Sequence, residues 1–186
     1  MKGALVTGAG LRIGRALAEA LAADGYFVFV HHNRSSAGAK ATVAAITKAG
    51  GRAKAVRADL SSARQAEALI GKCRVRGVHL TCLVNNASLF KLDRAPTATA
   101  ADFDLHMAIN LRAPLLLSQA LARQLAEGET GLIVNVLDQK LFNLNPDFLS
   151  YTLSKIGLHG LTTLLAQSFA PRLRVAGIAR GLTLRS

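Results

Sequence analysis

Short apolar runs alternate with longer helical patterns along the whole chain, and that alternation leaves few folds open. Ala4-Leu5-Val6 precedes a pattern over 13–24 in which Ile13, Leu17 and Leu21 recur at i, i+4 and i+8, the spacing of one helix face. Tyr26 to Val30 is a β-rich run entered through Gly25, a good helix stop. The same reading predicts helices near 37–49, 62–73, 102–126 and 150–169, and strands at 53–58, 80–84, 132–137 and 173–178. Strands joined by crossover helices pair in parallel, and the crossovers are right-handed. The expected architecture is therefore α/β, a doubly wound parallel sheet of about six strands between two helical layers. With no repeat, linker or low-complexity segment, residues 1–186 read as one domain.

Composition narrows the class. A chain of 186 residues that is 51% hydrophobic can bury a sizeable core. No stretch approaches the roughly 18–20 apolar residues of a membrane span, and the first apolar run is too short for a signal peptide. Cys73 and Cys82 stand alone, which fits a reducing cytoplasm. The net charge of +12 raises the question of nucleic acid, but the basic residues form no run and few aromatics lie among them. Part of the excess is expected to serve a small anionic ligand. His31 and His32 are adjacent, so on a strand they face opposite sides, and no metal site is expected.

The anion has an evident place. Val6-Thr7-Gly8-Ala9-Gly10-Leu11-Arg12-Ile13-Gly14 lies between the first strand and the first helix. A pyrophosphate there needs backbone N–H groups and no intruding side chains, which Gly8 and Gly14 permit, and the helix start adds its positive dipole end. Dinucleotide sites that use a free ribose 2′-hydroxyl usually place an acid after the second strand. Here the segment is His31-His32-Asn33-Arg34-Ser35, without an acid. A carboxylate would repel a 2′-phosphate, whereas Arg34 can fork onto one and Ser35 can donate to it, so NADP(H) is expected over NAD(H). Arg12 enters from the glycine loop.

Five motifs occur in register: Thr7-Gly8 with Ile13-Gly14, Asp59-Leu60, Asn85-Asn86-Ala87-Ser88, Asn110, and Tyr151-x-x-x-Lys155. In that order they resemble the short-chain dehydrogenases/reductases, a Rossmann-type family, over essentially the whole chain. Four details make it most similar to the pteridine reductases: Arg12, the His-His-Asn-Arg-Ser segment, Ser88 after Asn-Asn-Ala, and Asp138 where Ser is usual.

That resemblance implies a set of roles. Tyr151 and Lys155, four apart on one helix face, would form the proton donor and the ammonium that favours its ionised form. Lys155 would also hold the nicotinamide ribose. Asp138 would join Tyr151 in delivering a proton to a basic ring nitrogen, unless it merely caps a short turn. Phe90 would sandwich a pterin against the nicotinamide, and Arg12 would face both phosphates and substrate. Gly8, Ile13, Gly14, His32, Asn33, Arg34, Ser35, Asp59, Leu60, Asn85, Ala87 and Ser88 would contact the cofactor, with Asp59-Leu60 beside adenine. Asn110 would hold the helix around which the family's proton-relay water sits.

The implied activity is NADPH-dependent reduction of a pteridine-like C=N bond. Two rivals remain: a 3-oxoacyl-type carbonyl reductase, disfavoured because Asp138 would oppose a developing oxyanion, and a non-catalytic NADP(H)-binding module. A homodimer or homotetramer is expected, paired through the helices near 102–126 and 150–169. Two departures stand out: Ala179-Arg180-Gly181 replaces the usual Pro-Gly, and the sequence given stops at Ser186, short of the family's substrate-covering helices and seventh strand, which either follow beyond it or are lost by truncation.

Overall fold

The central strands of the sheet are covered on both faces, which is why they read as nearly continuous apolar runs. The computed structural model describes residues 1–181. The element order is β1 (Lys2–Val6), α1 (Arg12–Ala23), β2 (Phe27–His32), α2 (Ser36–Lys48), β3 (Arg52–Arg57), α3 (Ala63–Lys72), β4 (His79–Asn85), α4 (Ala100–Met107), α5 (Ala113–Gln124), β5 (Gly131–Asp138), α6 (Leu149–Phe169) and β6 (Leu173–Arg180). The six strands are all parallel in the order β3-β2-β1-β4-β5-β6. The order reverses between β1 and β4, and ligands of such sheets bind beyond the strand ends at that point. No helix among the described residues is long and apolar enough to cross a membrane.

Alternate strand residues feed two cores. Leu5, Phe29, Leu83 and Ile133 point to one face and pack with Leu69, Leu117 and Leu121 from α3 and α5. Ala4, Val6, Val28, Val30 and Val84 point to the other and meet Ala18, Ala39 and Ile46 of α1 and α2. Each fully buried large aliphatic side chain contributes about 1.5–3 kcal/mol relative to exposure.

Two boundaries differ from expectation. The helix foreseen over 102–126 is divided by a π-helical turn, Ala108–Arg112, where Ala113 N–H bonds Ala108 O. Pro114 is the reason: it has no N–H for the carbonyl of Asn110 four residues earlier, and its ring crowds that carbonyl, so the turn widens. Strand β2 also runs two residues past Val30, because β3 pairs with it through His31↔Val56 and His32↔Arg57.

Candidate active site

The glycine loop is stapled to the end of β4. Thr7 is buried; its hydroxyl accepts the Asn86 and Ala87 N–H groups, both at 2.9 Å, and donates to Val84 O at 3.2 Å. Asn86 Nδ2 returns bonds to the carbonyls of Thr7 and Gly8. Gly8 has φ +64°, and a Cβ on Gly14 would lie 2.2 Å from Gly8 O and 2.5 Å from Asn86 Nδ2. Helix α1 then begins with no side-chain cap and no acid in its first turn, so its N–H groups are open to an anion. Arg12 is exposed there at φ 52°, in the left-handed region that favours glycine. Ile13 is half-buried beside it.

His31 holds this loop from below, a role the sequence reading did not assign. Its Nδ1 accepts Gly8 N–H at 3.1 Å, so Nε2 carries the proton and donates to Ala58 O at 3.1 Å. Burial pushes its pKa down from 6.5 to about 4. Because the folded value lies below the unfolded one, the stability His31 contributes is whole above pH 6.5 and is lost as pH falls toward 4. The shift corresponds to about 3 kcal/mol. His31→Gln is therefore expected to lose less stability than the parent between pH 7 and 4.5 in denaturant titrations, whereas equal losses would remove His31 from this role.

His32, Asn33, Arg34 and Ser35 follow at the C-terminal end of β2, with Arg34 and Ser35 exposed. Asp59, after β3, faces them. Hydrogen bonds from Ser61 Oγ at 2.7 Å and Ser61 N–H at 2.9 Å hold its carboxyl below the usual range, with smaller help from the Arg34 charge and from Asn33. Leu60 is 5% exposed and packs in the core.

The chemistry-bearing side chains meet between β5 and α6. Tyr151 Oη donates to Asp138 Oδ2 at 2.7 Å, while Asp138 Oδ1 accepts Lys140 N–H at 2.9 Å and caps the short 3-10 turn Gln139–Leu141. One oxygen of Asp138 thus caps the turn, and the other meets the Tyr151 hydroxyl. Lys155 is 2% exposed, donates to Val136 O at 2.7 Å and lies 5.7 Å from the Tyr151 ring centroid. Asn110, in the π turn, accepts Leu89 N–H and donates to Leu89 O and to Ser154 Oγ, which donates to Tyr151 O. Asn85 joins a buried chain, donating to Asn135 Oδ1, and Asn135 donates to Thr162 Oγ1. Ala87 and the exposed Ser88 follow β4 on the same rim.

Phe90 is 56% exposed and stands edge-on to Tyr151, with ring centroids 4.7 Å apart. Phe148 stacks on it at 4.1 Å and 10°. Phe148 has φ 61°, and Lys140 Nζ lies 5.2 Å from its ring; the sequence reading passed over it. The backbone of Arg180 pairs opposite Asp138, and its side chain lies outside what the structure describes. A seventh strand, or its absence, also falls outside residues 1–181. The arrangement offers a phenol hydrogen-bonded to a carboxylate beside an exposed aromatic platform, with uncapped helix N–H groups farther along the same sheet edge.

A short chain dehydrogenase family model matches residues 2–185. A solved structure, FolM alternative dihydrofolate reductase 1 from Brucella suis in complex with NADP, superimposes with a TM-score of 0.93 at 42% identity, covering 98% of this chain and 76% of that one. A 3-oxoacyl-[acyl-carrier-protein] reductase of Synechocystis is 33% identical over 169 residues, 91% of this chain and 68% of the relative. Pteridine reductase 1 of Leishmania tarentolae is 31% identical over 221 residues, 97% of this chain and 76% of the relative.

Proposed function

This chain belongs to the short-chain dehydrogenase family, and we propose that within it the protein is an NADPH-dependent reductase of pteridine-like C=N bonds. The observation that carries the substrate reading is the 2.7 Å bond from Tyr151 to Asp138. A carboxylate beside the donor phenol suits a basic nitrogen that must gain a proton, and opposes the oxyanion of a carbonyl substrate. Relatives carry both chemistries in their names, pteridine and 3-oxoacyl reductase, so the Asp is what separates them here.

The cradle fits the cofactor. A Cβ at Gly14 would fill it, α1 presents uncapped N–H groups, and Arg34 with Ser35 offers the fork and hydroxyl that a 2′-phosphate needs. NADPH, when bound, supplies the hydride. Tyr151 holds the proton that the substrate nitrogen takes, leaving a phenolate, and Asp138 orients the phenol. Lys155, anchored on Val136 O, keeps a positive charge beside the Tyr151 ring. Phe90 offers a ring face to a flat substrate, with Phe148 as the side chain that would turn aside. Asn110 fixes the backbone just before Phe90. Pairing of two or four copies through α5 and α6 is supported by Leu153, Ile156 and Leu164, which α6 exposes.

Arg34→Ala is expected to weaken NADPH about 10- to 100-fold and leave NADH within about threefold, as loss of a charge-assisted phosphate contact does; titration of both cofactors checks this. The substrate reading is tested by Asp138→Ser. Reduction of dihydropterin should fall about 100-fold or more, the scale of a positioned proton-transfer group, while acetoacetyl thioester turnover holds or rises. Undiminished pterin reduction would overturn it.

A further inference from the structure

We infer that Asp93 is a positioning residue: from the loop that carries Phe90, its buried carboxylate caps α6 and so fixes Tyr151 against both Asp138 and Phe90. The inference rests on the reading of Tyr151 as proton donor. Helix α6 needs such help, because the first N–H groups of a helix have no partner within it. Its own cap position is Phe148, which has no acceptor side chain, and its first turn holds no acid. Asp93, 5% exposed, supplies what is missing from 57 residues away. One carboxylate oxygen accepts Ser150 N–H at 3.1 Å, the other accepts the Ser150 hydroxyl, and Asp93 O accepts Leu149 N–H at 3.2 Å. A negative charge at this end also meets the positive end of the helix dipole.

The segment from Leu89 to Asp93 is held at every second residue. Asn110 binds both backbone groups of Leu89, His106 Nε2 accepts Lys91 N–H at 3.4 Å, and Asp93 binds α6. The residues between, Phe90 and Leu92, are each 56% exposed. Asp93 is thus the point where the substrate platform and the proton-donor helix are joined, at Ser150, one residue before Tyr151. A misplacement of about 1 Å at reacting groups lowers rates about a hundredfold, so this joint governs turnover more than cofactor binding.

The chain has two tyrosines and no tryptophan. In a Tyr26→Phe background, the near-ultraviolet circular dichroism of tyrosine therefore reports on Tyr151 alone, without any substrate. Asp93→Ala is expected to lose half or more of that band and to lower kcat with dihydropterin about 10- to 100-fold, with the KM for NADPH within about threefold. Asp93→Asn, which keeps an acceptor oxygen for Ser150 N–H, should restore both. A variant Asp93→Ala that merely melts earlier, with band and kcat intact at low temperature, overturns the inference, as does an Asn variant no better than Ala. If Asp93→Ala does not fold, Ser150→Ala removes the hydroxyl bond alone; an unchanged kcat there overturns it equally. A parent protein that reduces no dihydropterin defeats the functional reading instead, and the Tyr151 band still decides the role of Asp93.

Discussion

Replacing Tyr151 by phenylalanine is expected to lower kcat about a thousandfold, within the range of a positioned general acid, while NADPH affinity stays within a factor of about three. The ring is retained, so the edge contact with Phe90 and the neighbouring Lys155 ammonium remain. What disappears is the hydroxyl bonded to Asp138 Oδ2. Asp138 keeps its second oxygen on Lys140 N–H, so the short turn it caps should survive and the variant should fold. Steady-state kinetics paired with a cofactor titration separates two accounts. Loss of kcat at constant affinity is the signature of an interaction made in the transition state. If turnover and affinity are both unchanged, proton delivery does not pass through Tyr151.

Gly14→Ala is expected to abolish NADPH binding at millimolar concentration and to destabilise the fold by about 2–3 kcal/mol, the upper part of the overpacking range. The new Cβ would stand 2.2 Å from the carbonyl oxygen of Gly8, which is backbone held by Asn86 and, through Gly8 N–H, by His31. Nothing flexible can yield there. Either α1 retreats from the loop or the loop loses the shape that aims its N–H groups at a phosphate. Gly160→Ala is the matched control: it sits within α6 with nothing within 4 Å of a built Cβ, so helix propensity alone should make it neutral or stabilising by up to about 1 kcal/mol. Chemical denaturation and fluorescence titration of both variants test the contrast. Equal behaviour would show that close approach at Gly14 is not what requires glycine.

The sheet was legible because its apolar strands and amphipathic helices differ in period, and because glycines punctuate the turns at Gly25 and Gly50-Gly51. Strand ends were less legible where polar residues extend them. His31 belongs to β2 because its ring finds Gly8 N–H and Ala58 O, partners from two other segments. The opposite-face rule applied to His31-His32 already placed one of the two inward, which was the available signal for its structural role. The π turn around Asn110 had a local signal in Pro114, but its consequence depends on the bonds to Leu89 and Ser154. Tyr151, Lys155 and Asp138 were legible through spacing and family resemblance. Asp93 and Phe148 were not, because their partners lie across 57 residues in one case and on a neighbouring loop in the other. Both are contacts of tertiary packing, which no window along the chain contains.

The central claim is that the Tyr151–Asp138 pair, in a site that takes NADPH, serves a C=N substrate. The most direct measurement is kcat/KM for dihydropterin and for acetoacetyl thioester, taken side by side with NADPH on the unaltered protein. The account predicts that dihydropterin is preferred by about 100-fold or more, the discrimination expected when a mispaired charge meets the wrong transition state. Turnover of the thioester alone would contradict it.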